Sequence, residues 1–308
     1  MVIKIILLVI GLILVVYSSN KFVNASTSLA TSFKIPSMVI ALTIASFSTC
    51  APELAISFNS IMSNDYDITL ANVVGSCVVN ILLIIGVASL VKPIKIKTAT
   101  VTNELPFLFI TTSVFSLLFL DNVLSRFDAL ILIFLFVIFC IYLYSMVKRF
   151  QKLDEEKPKY SRLKSLVITF LSILVIILAS DLVVDSALFI SEKLNVSAKL
   201  ISMVLIVIGT SLPELMITVV SAKKGEFDMT VGNIIGTNIF NICIVLGLPI
   251  LIFGDIHSLA FNYIDFSVVV LGSLLFYVLG KSEREISRYE GILMLFVFAL
   301  YYAYLFLI

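Results

Sequence analysis

Between Val207 and Ile242 the chain reads VIGTSLPELMITVVSAKKGEFDMTVGNIIGTNIFNI, an apolar run broken by Gly209-Thr210-Ser211-Leu212-Pro213-Glu214. A charged side chain at the centre of a bilayer costs roughly 2.5–3.5 kcal/mol on insertion scales, so a glutamate there points to a functional site. Pro213 removes a backbone donor and Gly209 loosens the helix, which frees nearby carbonyls to turn toward a ligand. Downstream, Gly232-Asn233 and Gly236-Thr237-Asn238 with Asn241 supply a second polar face inside another apolar run.

The first half repeats this arrangement. A shift of 161 residues superimposes Thr49, Pro52, Glu53 and Leu54 on Thr210, Pro213, Glu214 and Leu215, and Asn72, Gly75 and Asn80 on Asn233, Gly236 and Asn241. The register runs without a gap from Asn20/Asp181 and Asn24/Asp185 through Asp67/Asp228 to Gly86/Gly247, which marks an internal duplication. Pooled, the two copies offer Glu53, Glu214, the hydroxyls of Thr49, Thr210, Ser211, Ser76 and Thr237, the amides of Asn80 and Asn241, and carbonyls near Ser46 and Val207. This all-oxygen set with two carboxylates suits a hard divalent cation such as Ca²⁺. The lone imidazole, His257, falls in the 253–262 loop, away from this set. Asn72 and Asn233 read as interhelix bonding residues, Gly75 and Gly236 as close-packing positions, and Glu104 and Asp128 as interfacial.

The elements that must carry these residues are membrane helices. The chain is 308 residues long, 60% hydrophobic and 13% charged, with mean hydropathy +1.15, which excludes an ordinary soluble domain. A net charge of +1 gives no reason to expect nucleic acid. With no Trp, interfacial anchoring falls to Tyr142, Tyr144, Tyr301, Tyr302 and Tyr304. Cys50, Cys77, Cys140 and Cys243 lie in apolar segments without paired spacing and read as small buried residues. Ten spans are predicted, at about 1–32, 37–60, 69–90, 104–121, 127–147, 164–191, 197–221, 230–252, 263–280 and 289–308. The first resembles a signal peptide, but its repeat partner 162–180 lies deep in the chain.

Residues 1–147 and 164–308 then form two five-helix repeats joined by a hydrophilic linker, 148–163. If that linker is cytoplasmic, its side of the membrane holds seventeen Lys and Arg and the other side four. The positive-inside bias therefore places both termini outside. Five spans per repeat is an odd number, so the second copy enters the membrane upside down. The expected fold is an all-α membrane protein with ten transmembrane helices in two inverted repeats, the second and seventh broken at the midplane.

The paired motifs, GTSLPEL with GNIIGTNIFN and STCAPEL with ANVVGSCVVN, resemble the two alpha repeats of the cation/Ca²⁺ exchanger superfamily, the sodium/calcium exchangers in particular. The resemblance implies a first and sixth helix that slide across a core of the other eight. It also implies ions held between the second, third, seventh and eighth helices by Glu53, Glu214, Thr49, Thr210, Ser211, Ser76, Thr237 and the carbonyls of Ser46 and Val207, with Asn80 and Asn241 beside them. The chain departs from that pattern at Cys50, where the family usually has Ser, and carries Asn241 where archaeal members can carry Asp.

The expected function is a secondary antiporter exchanging Ca²⁺ for Na⁺. The alternatives are a Ca²⁺/H⁺ antiporter on the same fold and, more remotely, a cation channel. An intramembrane enzyme is disfavoured, because no nucleophile–base pair or metal-binding histidine motif is present. The expected partners are the transported ions and the lipid bilayer, with no cofactor, no nucleic acid and no obligate protein partner.

Overall fold

The computed structural model describes residues 2–150, 158–193 and 210–307. The chain is mostly helical. In order, α1 spans Val2–Phe33, α2 Ser37–Thr49, α3 Ala51–Met62, α4 Tyr66–Val91, α5 Thr100–Leu118 and α6 Arg126–Phe150. The second half holds α7 Arg162–Lys193, α8 Leu212–Lys224, α9 Phe227–Phe253, α10 Tyr263–Ser282 and α11 Arg288–Leu307. Among the described residues, seven helices are long and apolar enough to cross a membrane, and the bent pair α2/α3 makes eight. Residues 151–157 of the 148–163 linker and the first part of the predicted span 197–221 lie outside the described residues, as does Val207.

Local chemistry fixes the helix ends in matching ways. After α3, Asn64 adopts φ 60° while Asp65 N–H closes on the Ser60 carbonyl at 2.8 Å. After α8, Gly225 adopts φ 80° and Glu226 N–H closes on the Ser221 carbonyl at 2.9 Å. Asn and Gly are the residue types that tolerate this left-handed cap. At the start of α6, Ser125 and Asp128 exchange side chain-to-backbone bonds as a capping box, and Ser287 and Glu290 do the same for α11. The offset between these boxes is 162, so the duplication continues beyond Gly86/Gly247 with a one-residue slip.

Among the described residues, four short strands tie the connections together. Ile94–Lys95 (β1) pairs antiparallel with Glu285–Ile286 (β4), and Val123–Leu124 (β2) with Ile256–His257 (β3). Around β1/β4 lie the Lys97–Asp228 ion pair at 2.8 Å and the bond from Arg284 to Thr98 at 2.8 Å. With β2/β3 go the bond from Arg126 N–H to Asp255 at 2.8 Å and the Tyr66–His257 ring contact at 5.2 Å. His257 is thus an exposed strand residue.

Packing places the long helices α1 and α7 against each other, and at Gly11 a Cβ would meet Val183 Cγ2 at 2.7 Å. Lys224 of α8 donates to the Asn20 carbonyl at 2.7 Å and to Asn24 Oδ1 at 3.0 Å, so both asparagines contact a neighbouring helix. Inside, α2 lies on α9 so tightly that a Cβ on Gly232 would meet Met38 Sδ at 2.6 Å, and one on Gly236 would meet Leu42 Cα at 2.8 Å. Small residues four apart let two membrane helices approach this closely. Thr112 of α5 and Ser273 of α10, 161 residues apart, share a hydrogen bond of 2.7 Å.

This contact sets a graded test. Gly236→Ala drives a methyl into the Leu42 backbone and is expected to destabilise by about 1–3 kcal/mol, the usual range for overpacking. Gly272→Ala, whose Cβ would meet Leu82 Cδ2 at an ordinary 3.6 Å, is expected to unfold near the wild-type temperature. Thermal unfolding in detergent measures both.

Candidate cation site

The site is assembled at two helix breaks. At Cys50 the backbone turns to φ −78°, ψ 1°, and at Ser211 to φ −85°, ψ 8°, both in the sparsely allowed bridge region. A proline follows at the second position of the next helix in each case, Pro52 in α3 and Pro213 in α8. Proline fits there because the first turn of a helix has no use for its N–H. The break bends α2 from α3 by 46°. Glu53 and Glu214 then fall in the first turn of their helices, where the partial positive charge of unpaired N–H groups favours a carboxylate.

Both glutamates are fully buried, and they lie within electrostatic reach of each other. Neither oxygen of Glu53 accepts a hydrogen bond from the described residues. The same holds for Glu214 at ordinary bonding geometry, although the Thr49 hydroxyl lies alongside it. Asn72 and Asn233 act on the backbone of these glutamates. Asn72 Nδ2 donates to the Glu53 carbonyl at 3.0 Å and contacts Ser57 Oγ at 3.4 Å. Asn233 Nδ2 donates to the Glu214 carbonyl at 3.4 Å and to Thr218 Oγ1 at 3.0 Å. The same bonds recur in both halves, and they pin the start of α3 to α4 and the start of α8 to α9.

The other predicted ligands lie on these elements. Ser76 and Asn80 are one turn apart on α4, as are Thr237 and Asn241 on α9. Each asparagine falls in a π-helical turn, Val79–Ile84 or Asn241–Leu246, a widening that often marks a functional position. The helices cross over: α3 packs on the π-turn of α9, and α8 on the π-turn of α4. The side-chain oxygens of Ser76, Ser211, Thr237, Asn80 and Asn241 are buried without a hydrogen-bond partner among the described residues. Thr210 opens the described part of the second break.

The Ser46 carbonyl already accepts from Cys50 N–H at 3.1 Å and the Thr49 hydroxyl at 3.3 Å, while Ser46 Oγ bridges to the Ala41 carbonyl and the Asn233 carbonyl. Buried polar groups are costly when unpaired, and two neighbouring carboxylates more so. A cation that gathers these oxygens relieves both penalties.

Three sequence readings change. Glu104 is fully buried rather than interfacial, and accepts a short hydrogen bond from Tyr142. Its counterpart Asp265 accepts from Tyr301 at 2.8 Å, so Tyr301 and Tyr142 act as bonding partners, and Tyr301 and Tyr302 are buried rather than interfacial anchors. Cys140 is exposed, while Cys50, Cys77 and Cys243 are buried. The carboxylate–tyrosine pairs were hidden because their partners lie on different spans.

The fold and this oxygen-lined centre define a multi-pass cation-transport protein, and the chain belongs to the sodium/calcium exchanger protein family, which matches residues 3–145 and again 164–307. It is 35% identical over 300 residues to the inner membrane protein YrbG of Escherichia coli, covering 94% of this chain and 92% of that one. It is 26% identical to the sodium/calcium exchanger MaX1 of Methanosarcina acetivorans, covering 98% of each. Among solved structures, the sodium-calcium exchanger NCX_Mj soaked with zero Na⁺ and Ca²⁺ superimposes with TM-score 0.87 at 31% identity, over 98% of this chain and 99% of that one.

The asparagine clamps are testable without transport. Asn72→Ala and Asn233→Ala each remove the side-chain donor to a buried carbonyl, and each is expected to lower stability by about 1–3 kcal/mol. Denaturation in detergent should show both losses, with Asn64→Gly at the exposed cap near neutral.

Proposed function

We propose that the protein is a secondary antiporter that exports Ca²⁺ in exchange for Na⁺ by alternating access. The observation that carries this reading is the pair of buried, unpartnered carboxylates, Glu53 and Glu214, one at each helix break and within electrostatic reach of each other. A divalent cation balances both. Thr49, Thr210, Ser211, Ser76 and Thr237, with the carbonyls of Ser46 and Val207, complete an oxygen shell beside Asn80 and Asn241. That is more oxygen than one Ca²⁺ needs, and the surplus suits several monovalent ions. The names of MaX1 and NCX_Mj, both sodium/calcium exchangers, agree with this pair of substrates.

The architecture in this reading is ten spans in two inverted repeats, with the ions at the midplane. Support comes from the double family match and from strand pairs that join β1 to β4 and β2 to β3, as alternating spans require. Thr112 and Ser273 add to it: equivalent residues in direct contact lie on a twofold axis between the halves. The α1/α7 pair slides across the remaining helices. In this reading the linker side is cytoplasmic and both termini are outside, supported by the basic residues of the linker and of the β1/β4 end.

Proton coupling is the second reading, and Cys50 is the observation that favours it. A thiol stands where the other half has the Ser211 hydroxyl, and it is a poor ligand for Na⁺.

In proteoliposomes at clamped pH, an outward Na⁺ gradient is expected to drive Ca²⁺ uptake. Glu53→Gln and Glu214→Gln should each abolish it in folded protein, because one carboxylate leaves a divalent ion half compensated at low dielectric. Ser211→Ala should weaken the Na⁺ dependence and Cys50→Ser strengthen it. Uptake that follows a pH gradient and ignores Na⁺ in the wild type, Ser211→Ala and Cys50→Ser would establish proton coupling instead. Near wild-type flux in either glutamine variant would remove the paired-carboxylate site.

For sidedness, a single cysteine in the 148–163 linker of a cysteine-free protein should react only with reagents that enter the cytoplasm. Labelling from outside intact cells would reverse the orientation.

A further inference from the structure

We propose that Cys50 is a soft ligand of this same centre, and that the site therefore binds soft divalent cations, of which Cd²⁺ is the probe, through a metal–sulfur bond as well as through oxygen. The inference rests on the cation site proposed above. Cys50 is fully buried at the first helix break, three residues before Glu53 and so on the same side of the chain as it enters α3. Its Sγ lies 3.9 Å from the carbonyl of Thr237, a residue whose hydroxyl is itself among the unpartnered oxygens of the site. The sulfur is within electrostatic reach of both Glu53 and Glu214.

A thiol in a packed core ordinarily sits among hydrocarbon. This one shares its surroundings with two carboxylates that have no hydrogen-bond donor, and a cation neutralising them comes within range of the sulfur. Oxygen ligands alone select hard cations, whereas a sulfur donor shifts preference toward soft ones. Cd²⁺ has the charge of Ca²⁺ and a similar radius, so it can occupy the same oxygens. On binding, the S–H bond of Cys50 breaks, the sulfur electron pair forms the Cd–S bond, and the proton leaves to water. Oxidation states do not change. The mirror position, Ser211, offers only a hydroxyl, so the sulfur contact belongs to one half of the site.

The test is titration of the purified protein in detergent with Cd²⁺ while following the ultraviolet sulfur-to-cadmium charge-transfer band. A band is expected that Ca²⁺ competes away, that survives Cys77→Ser/Cys140→Ser/Cys243→Ser, and that is lost in both Cys50→Ser and Cys50→Ala. The preference for Cd²⁺ over Ca²⁺ should fall on the order of tenfold or more in Cys50→Ser. Size-exclusion profiles and thermal unfolding of the Cys50 variants establish that they are folded. If Ca²⁺ binds but the band is missing or persists without Cys50, the sulfur ligand is wrong and the cation site stands. If neither Ca²⁺ nor Cd²⁺ binds the folded wild-type protein, the cation site itself is wrong.

Discussion

Two carboxylates buried without a hydrogen-bond donor and within electrostatic reach of each other cannot both stay ionised inside a protein unless a proton or a cation compensates them. Two nearby unit charges interact several-fold more strongly at protein dielectric than in water. Glu53 and Glu214 receive part of the compensation from the N-terminal ends of α3 and α8. A helix terminus offers only about half an elementary charge, so the larger share is left for a proton or a cation to supply. The buried hydroxyls and amides around the pair have the same need for a partner, which explains why so many polar atoms gather in one apolar core.

The scaffold is organised to hold that arrangement rather than to relax it. A break in a membrane helix leaves backbone groups that lipid cannot satisfy, and it survives only where protein covers it. Here the cover is reciprocal. The carbonyls of the two glutamates take the amides of Asn72 and Asn233, and the glycines of α9 bring α2 close enough for Ser46 to reach the Asn233 carbonyl. Asn233 therefore bonds to both breaks at once, through its side chain to α8 and through its carbonyl to Ser46 of α2. Pinned in this way, the backbone at the start of α3 and of α8 is held where it presents the two carboxylates.

Much of this could be read from residue types, because the signals are local. Pro beside Glu in an apolar run, repeated at a fixed offset, marks the breaks wherever the helices go. The GxxxG spacing of Gly232 and Gly236 marks a close contact, though not its partner. Pairings across distant spans were out of reach: nothing near Glu104 in the chain announces Tyr142, and Asp265 meets Tyr301 only because α10 and α11 pack together. Charged residues at a predicted span end look interfacial until a neighbour covers them. The one-residue slip also lay beyond a gapless alignment, since it falls in the connection after α5, where no packed face enforces register.

Comparing the halves position by position separates what the fold requires from what the ion requires. Asn64 and Gly225 differ in side chain but both accept the left-handed cap, and Asp128 and Glu290 both close a capping box. Ser57 and Thr218 both present a hydroxyl to the clamping asparagine. These exchanges preserve the physical role. Cys50 and Ser211 do not, because sulfur and oxygen differ in hardness, size and hydrogen-bond strength while the backbone at the two positions is nearly the same. The fold therefore gives no reason for the difference, and it lies at the two helix breaks, beside the buried glutamates. A site built from two equal halves would bind ions alike from either side of its axis. One sulfur removes that equivalence and makes the first break chemically distinct from the second.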